Sequence, residues 1–92
     1  MARIYQTASS GEAQVRVAVV NSRDEADLLV HRVSSWGVAH GDALWYITRN
    51  KQDATCVISF VSVGMAQVKI CFIDTYGEAG WQKESRYKNR FG

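Results

Sequence analysis

The 92-residue sequence contains no proline, only two cysteines, and no apolar run that approaches the length of a membrane-spanning helix. Because proline is absent, no strand is barred from the interior of a sheet and no cis-prolyl step can slow folding. The two cysteines, Cys56 and Cys71, are expected to be reduced thiols. No apolar stretch marks a secretory signal near the N-terminus, so a cytoplasmic location is the expectation.

Charge of either sign is not in large excess, because 11 Lys/Arg residues against 9 Asp/Glu give a net charge of +2. The basic residues are unevenly distributed. Residues 83–92 contain one acidic residue, Glu84, and four basic ones, Lys83, Arg86, Lys88 and Arg90. This segment is predicted to be a basic, flexible C-terminal tail. Such a tail could contact nucleic-acid phosphates weakly and in a salt-sensitive way. A solvated, frayed terminus is the alternative interpretation.

A repeat of 12–13 residues runs through the chain. Each unit has an alanine with a Ser, Asn or Thr four positions before it: Ser9/Ala13, Ser22/Ala26, Ser35/Ala39, Asn50/Ala54, Ser62/Ala66 and Thr75/Ala79. Positions two and four beyond the alanine are apolar, which is the alternation of a strand. The pattern predicts strands at residues 3–7, 14–20, 27–33, 44–49, 55–61 and 67–73, with a short one at 80–82. The fold class is therefore all-β, a single small domain of about six short strands.

The segments between the strands have the spacing of a capping box, as in Ser22 to Glu25 and Thr75 to Glu78. They are expected to form single capped turns. The middle strands are apolar on both faces, so both faces are expected to be covered. Apolar character runs on to Val19, Phe60 and Phe72, which suggests bulges or strand ends tucked under the next turn.

Three motifs in register resemble the septoil knot domain family: Ser22-Arg23-Asp24-Glu25-Ala26-Asp27-Leu28, Gly41-Asp42-Ala43-Leu44-Trp45-Tyr46 and Gly77-Glu78-Ala79-Gly80-Trp81. The resemblance covers about residues 2–82 and implies a small all-β domain whose backbone is threaded into a seven-crossing knot. It implies no established biochemical activity. The sequence departs from the family pattern at 36–38 and 63–65, where arginine and acidic residues are more usual.

An insertion, His40-Gly41-Asp42, interrupts the repeat and makes residues 36–42 the first place to look for a site. Trp36, His40 and Asp42 are the candidate binding residues. A hydrolytic site would combine His40 and Asp42 with Ser34 or Ser35, but their spacing does not resemble a nucleophile elbow. The structural alternatives are a turn role for Asp42 after Gly41 and a Trp36 folded over a neighbouring strand.

Metal binding is not predicted, because the histidines and cysteines, His31, His40, Cys56 and Cys71, lack paired ligand spacing. No cofactor is predicted either. Cys56 should face the core and Cys71 the opposite side, whereas His31 should lie at the surface. Trp45 and Trp81 occupy the same inward position of their units and are predicted to be core residues.

The sequence favours a non-enzymatic, mechanically robust structural or interaction module. The alternatives are weak nucleic-acid binding through the basic tail and a hydrolytic enzyme with a site near residues 36–42. A protein is one candidate partner and nucleic acid is disfavoured. No membrane contact is expected, and the chain is expected to be a monomer or a homodimer. No motif identifies that partner.

Overall fold

The computed structural model describes residues 2–9, 11–35, 37 and 41–92. It contains seven strands: β1 Ala2–Gln6, β2 Val15–Val19, β3 Leu28–Val33, β4 Leu44–Ile47, β5 Cys56–Phe60, β6 Val68–Phe72 and β7 Gly80–Trp81. Between these strands, the continuously described connections contain three 3-10 turns, at Lys51–Asp53, Val63–Met65 and Tyr76–Glu78. No α-helix occurs in these described ranges, so the predicted all-β class is confirmed. Every strand end lies within two residues of its predicted position.

The first six strands close into a parallel barrel in the order β1-β5-β2-β6-β3-β4, with β4 pairing back onto β1. The short β7 adds antiparallel to β3. β5 lies between β1 and β2, and β6 lies between β2 and β3. The second half of the chain therefore lays its strands between those of the first half, and the closed barrel gives each of the six strands a partner on both sides.

The connections between parallel strands are short, as in residues 61–67 between β5 and β6. Parallel neighbours usually need a crossover of a dozen or more residues. Here each strand pairs with one that is distant in sequence, and the tilt that barrel closure requires brings the end of one strand near the start of the next. The connection then crosses outside the strand that it skips, as Met65 does over β2, where its carbonyl accepts a hydrogen bond from Arg16 Nε at 3.2 Å.

At four crossings, the residue that precedes a strand forms a pair of hydrogen bonds to a single residue of the skipped strand. The Gln14 backbone N–H donates to the Val57 carbonyl at 2.8 Å, and Gln14 Oε1 accepts from the Val57 N–H at 2.8 Å. The same pair of hydrogen bonds joins Thr55 to Arg3, Gln67 to Arg16 and Asp27 to Lys69. We call this pair of bonds the crossing clamp. It satisfies two backbone groups of the skipped strand with one polar residue.

The turns themselves differ from the predicted capping box. Asn50 Oδ1 accepts from the Gln52 N–H at 3.0 Å and Ser22 Oγ from the Asp24 N–H at 3.2 Å, two residues on rather than three. Neither Ser62 nor Thr75 caps its turn with a side-chain bond to the backbone. The reason is that these connections are single 3-10 turns flanked by extended residues, so the hydroxyl or amide reaches the nearer N–H.

Side chains from alternate positions of every strand fill the barrel interior: Ala2, Ile4, Val15, Val17, Leu28, Val30, Trp45, Cys56, Ile58, Val68 and Ile70. A second cluster covers the outside of β3 and β6 and contains Val20, Ala26, Leu29, Cys71 and Ile73. Cys56 and Cys71 therefore lie on opposite faces, as predicted, and β3 and β6 are covered on both sides. Trp45 is fully buried and Trp81 packs against the same core, which confirms the two inward tryptophans.

Residues 83–92 differ from the predicted flexible tail, because the structure packs them against the barrel. Phe91 is fully buried, with its ring centroid 5.3 Å from that of Trp45 and 6.1 Å from that of Trp81. The Phe91 carbonyl accepts a hydrogen bond from Thr55 Oγ1 at 2.6 Å. Thr55 immediately precedes β5, so this segment closes the end of the barrel where the parallel strands begin. Apolar burial of Phe91 determines its position, which the basic charge of the segment does not reveal.

Candidate functional site

Asp42 is the only one of the three candidate binding residues that the structure describes, since Trp36 and His40 lie outside the described residues. It sits in a turn directly after Gly41, whose φ is +65°. Its Oδ1 accepts from the backbone N–H groups of Phe91 and Gly92, both at 3.2 Å. Its Oδ2 accepts from Trp81 Nε1 at 2.9 Å and from the Asn89 N–H at 2.5 Å. The carboxylate thus holds the C-terminal segment in place.

These contacts bear on the catalytic alternative. A groove of about 360 Å³ lies beside Asp42 and is lined by Leu44 and Tyr76 among others. With four N–H donors already bound, the Asp42 carboxylate is engaged in structure rather than turned toward a substrate. Ser34 and Ser35 are exposed, and the Ser35 hydroxyl accepts from the Gly37 N–H at 3.4 Å. Neither serine is among the four groups that donate to Asp42.

Three of the four basic side chains of residues 83–92 contact a partner within the molecule. Lys88 Nζ lies 2.9 Å from Glu84 Oε1, and this bond and the ammonium charge lower the pKa of the Glu84 carboxyl. The Arg86 guanidinium lies over the Tyr87 ring at 5.3 Å, and Lys83 Nζ lies 4.0 Å from Asp27 Oδ1. Arg90 is exposed. These cations line the surface of a packed segment.

The thiols and histidine fit structural roles. Burial, together with a smaller effect of the Asp42 charge, raises the pKa of Cys56 to about 11, so this thiol is a poor nucleophile near neutral pH. His31 is half-buried rather than fully at the surface, with Nδ1 3.1 Å from the Ile73 carbonyl oxygen and its ring edge-on to Tyr76. In the part of the chain that the structure describes, no three metal-ligating side chains converge.

In the described chain, the opposite end of the barrel, where the parallel strands finish, is uncovered. Six side chains surround it, one from each barrel strand, and we call them the open mouth: Gln6, Val19, Arg32, Ile47, Phe60 and Phe72. Each of them pairs in register with a buried interior residue, as Phe60 does with Val17 and Arg32 with Trp45, so each belongs to the inward-facing series. Val19, Ile47 and Phe60 are nevertheless 48%, 44% and 36% exposed, because no segment of the described chain covers them as Phe91 covers the other end.

The open mouth contains a small cavity of about 170 Å³. Ile4 and Ile58, both fully buried, form its floor, and Phe60, Phe72 and Ile47 line its sides. Polar groups come from Gln6 and Arg32. The arrangement combines an apolar floor with two polar side chains at the rim, which is the usual composition of a small-molecule site.

Arg32 is held in this cavity by an aromatic contact. Its guanidinium carbon lies 4.5 Å from the centroid of the Phe72 ring, in the range of a cation–π interaction. Aromatic rings connect this cavity to the closed end of the barrel. The centroid of the Trp45 ring lies 6.1 Å from that of Phe72, with the rings edge-on, and 5.3 Å from that of Phe91. Trp45 therefore spans the barrel from the closed end to the open mouth.

The sequence contains a pattern that corresponds to the open mouth. Val19, Arg32, Phe60 and Phe72 all stand six positions beyond the alanine of their units, which continues the inward alternation by one more step. The tucked strand ends predicted there are not found, because the connections leave the barrel outward over the skipped strands. The side chains at these extra inward positions surround the barrel opening instead.

The sequence profile of the family described as the 7(1) septoil knot domain matches residues 1–82. The chain belongs to this family. The matched range contains all seven strands and all six residues of the open mouth. The buried Phe91 lies beyond the match. Comparisons with curated proteins and with solved structures find no match.

Among the described residues, no helix has the length and apolar character that crossing a membrane requires.

Proposed function

We propose that this septoil knot domain is a non-enzymatic interaction module that binds its ligand at the open mouth of the barrel. The observation that carries the proposal is the difference between the two barrel ends. Phe91 fills one end, whereas Val19, Ile47 and Phe60 at the other are at least one-third exposed. Apolar side chains gathered around an opening are unfavourable in water and are typical of binding sites.

The scaffold beneath the open mouth suits a binding site. Its floor consists of Ile4 and Ile58, which belong to a closed barrel whose strands are paired on both sides. Side chains on such strands are held more firmly than side chains on loops, so little order has to be gained on binding. In other closed parallel barrels, too, the sites lie where the strands end, and this analogy of fold supports the location only.

Binding can be tested with a library of small fragments and the ¹⁵N-labelled protein, by following backbone amide shifts in NMR spectra. Fragments are expected to shift the amides of Ile47 and Phe60 and of their neighbours. Phe60→Ser should abolish these shifts, since it removes one aromatic wall. Val63→Ser is the matched control, because Val63 is 52% exposed on an outer turn. Fragments that shift only residues remote from the open mouth would refute the proposal.

Mechanical persistence is a second candidate, favoured by the interleaved strand order. A force on either terminus must draw strands from between partners that are far away in sequence, as β5 lies between β1 and β2. The tagged domain should be degraded by an energy-dependent unfoldase more slowly than an unknotted β domain of equal stability. Equal degradation rates would remove this candidate.

Nucleic-acid binding through residues 83–92 has less support, because Lys88 and Arg86 already contact Glu84 and Tyr87. It predicts an affinity that falls steeply with salt. Arg90→Gln combined with Lys83→Gln would weaken such binding and leave Phe91 in place.

A further inference from the structure

The cavity at the open mouth carries a positive charge and no described negative charge to balance it. Its lining contains Arg32 and Gln6 but no acidic side chain. The ion pairs found among the described residues lie elsewhere: Arg23–Glu78, Lys51–Glu12, Lys83–Asp27 and Lys88–Glu84. A cation placed beside apolar walls without a protein carboxylate favours a ligand that supplies one.

We infer that the open mouth binds small carboxylic acids whose apolar body is about the size of a phenyl group or a short alkyl chain. This inference rests on the proposed function and specifies the ligand for the same site. Arg32 is the residue that recognises the carboxylate, and the cavity between Phe60, Phe72 and Ile47 receives the apolar body.

Arg32 has the geometry for this role. Its register with Trp45 places it on the inward face of β3, and the Phe72 ring lies 4.5 Å from its guanidinium carbon. A planar guanidinium can donate two parallel hydrogen bonds to a carboxylate, which a lysine ammonium cannot. The contact with Phe72 restricts the side chain before the ligand arrives, so less conformational entropy is lost on binding.

The cavity sets the size of the apolar body. Its volume of about 170 Å³ accommodates a small molecule and no large cofactor. Ile4 and Ile58 at its floor offer no hydrogen-bond partner, so the buried end of the ligand must be apolar. The Gln6 amide is the remaining polar group of the lining and can donate a further hydrogen bond to the acid.

Other occupants fit less well. An amine would face the Arg32 charge without a described carboxylate. A second copy of the chain, docked mouth to mouth, would bring two Arg32 guanidinium groups together, which is unfavourable in a site from which water is expelled. An inorganic anion would use Arg32 and leave the apolar walls exposed to water.

The test compares 4-phenylbutyrate with its neutral analogue 4-phenylbutyramide, titrated into the ¹⁵N-labelled protein at pH 7 and followed by amide shifts of Ile47 and Phe60. A ligand of this size is expected to bind with a Kd in the range of about 0.1–5 mM. The acid should bind about tenfold more tightly than the amide, because a hydrogen bond to an ionised group is stronger than a neutral one.

Two arginine variants complete the design. Arg32→Gln should weaken acid binding about tenfold and leave amide binding unchanged, whereas Arg32→Lys should recover part of the loss. Arg49→Gln is the matched control, since Arg49 is exposed just after β4, outside the cavity lining, and its loss changes the net charge equally. The thermal unfolding midpoint of each variant establishes that it is folded.

The outcomes separate the two proposals. Equal binding of acid and amide at the open mouth, or an Arg32→Gln variant that binds the acid as tightly as the natural chain, would overturn the carboxylate inference and leave the proposed function standing. Fragments that bind elsewhere, with no shift at Ile47 or Phe60 from either compound, would overturn both.

Discussion

Replacing Phe91 by alanine tests whether the C-terminal segment is part of the folded domain. The backbone contacts of this residue survive the change, because its N–H bonds to Asp42 and its carbonyl accepts from Thr55. The variant therefore removes only the ring, which is fully buried against Trp45 and Trp81. Truncations of buried phenylalanines to alanine cost about 3–5 kcal/mol. A domain of this length has a total unfolding free energy of about 5–14 kcal/mol, so the loss would be a large share of it.

Urea unfolding followed by tryptophan fluorescence measures this loss directly. Trp45 and Trp81 both lie against the ring, so water that enters the emptied site should also shift their folded-state emission to longer wavelength. Arg90→Ala is the matched control, because it changes the exposed neighbour in the same segment and should alter the unfolding free energy by less than about 0.5 kcal/mol.

A loss below about 1 kcal/mol for Phe91→Ala, with unchanged folded-state emission, would refute the reasoning. It would mean that residues 83–92 are detached in solution and that the barrel closes that end by other means. The flexible tail expected from the sequence would then be restored.

Three further predictions concern other contacts. Gln67→Ala removes the side-chain half of a crossing clamp and leaves the Arg16 N–H without its acceptor. The unfolding free energy measured in urea titrations should therefore fall by about 1 kcal/mol, whereas Gln52→Ala, at an exposed position, should change it little. Asp42→Ala removes the acceptor for four N–H groups and should speed tryptic cleavage within residues 83–92 under native conditions; an unchanged cleavage rate would contradict the holding role. The pKa of Cys56 is raised from 9.0 to about 11, so the folded state keeps a proton that the unfolded chain loses. The unfolding free energy should therefore fall as pH rises from about 9 to 11, by up to about 1.4 kcal/mol per pH unit more than in Cys56→Ala. If the unfolding free energies of the two proteins change in parallel with pH, the pKa shift is absent.

The positions of the strands could be predicted from the sequence, because period-two alternation is a local property. Val15 and Val17, or Val68 and Ile70, face the core wherever their strand is placed. The strand order could not be predicted, because nothing in the residues around Val15 indicates that β2 pairs with β5 and β6 rather than with β1 and β3. Residues 14, 55 and 67 carry a polar side chain just before a strand, but its role as a crossing clamp depends on that order.

The candidate site was harder to predict for the same reason. Phe60 and Phe72 continue an inward alternation that normally means burial, and only the path of the connections shows that their end of the barrel stays open. The turn position of Asp42 after Gly41, the structural alternative to a binding role, is confirmed. Its bonds to Phe91 and Gly92 join residues about fifty positions apart, and no local pattern reveals such a contact.

The interleaving of the two halves also determines when the protein can fold during its synthesis. Both neighbours of β2 are encoded after it, and the second of them, β6, ends at Phe72. At 5–20 residues per second, roughly 3–10 s pass between the synthesis of Val19 and that of Phe72. Throughout this time the nascent chain exposes apolar, β-forming segments with no native partner, so aggregation on the ribosome competes with folding. Cells that make this domain should depend on nascent-chain chaperones for its yield more than for the yield of a β-meander of the same length.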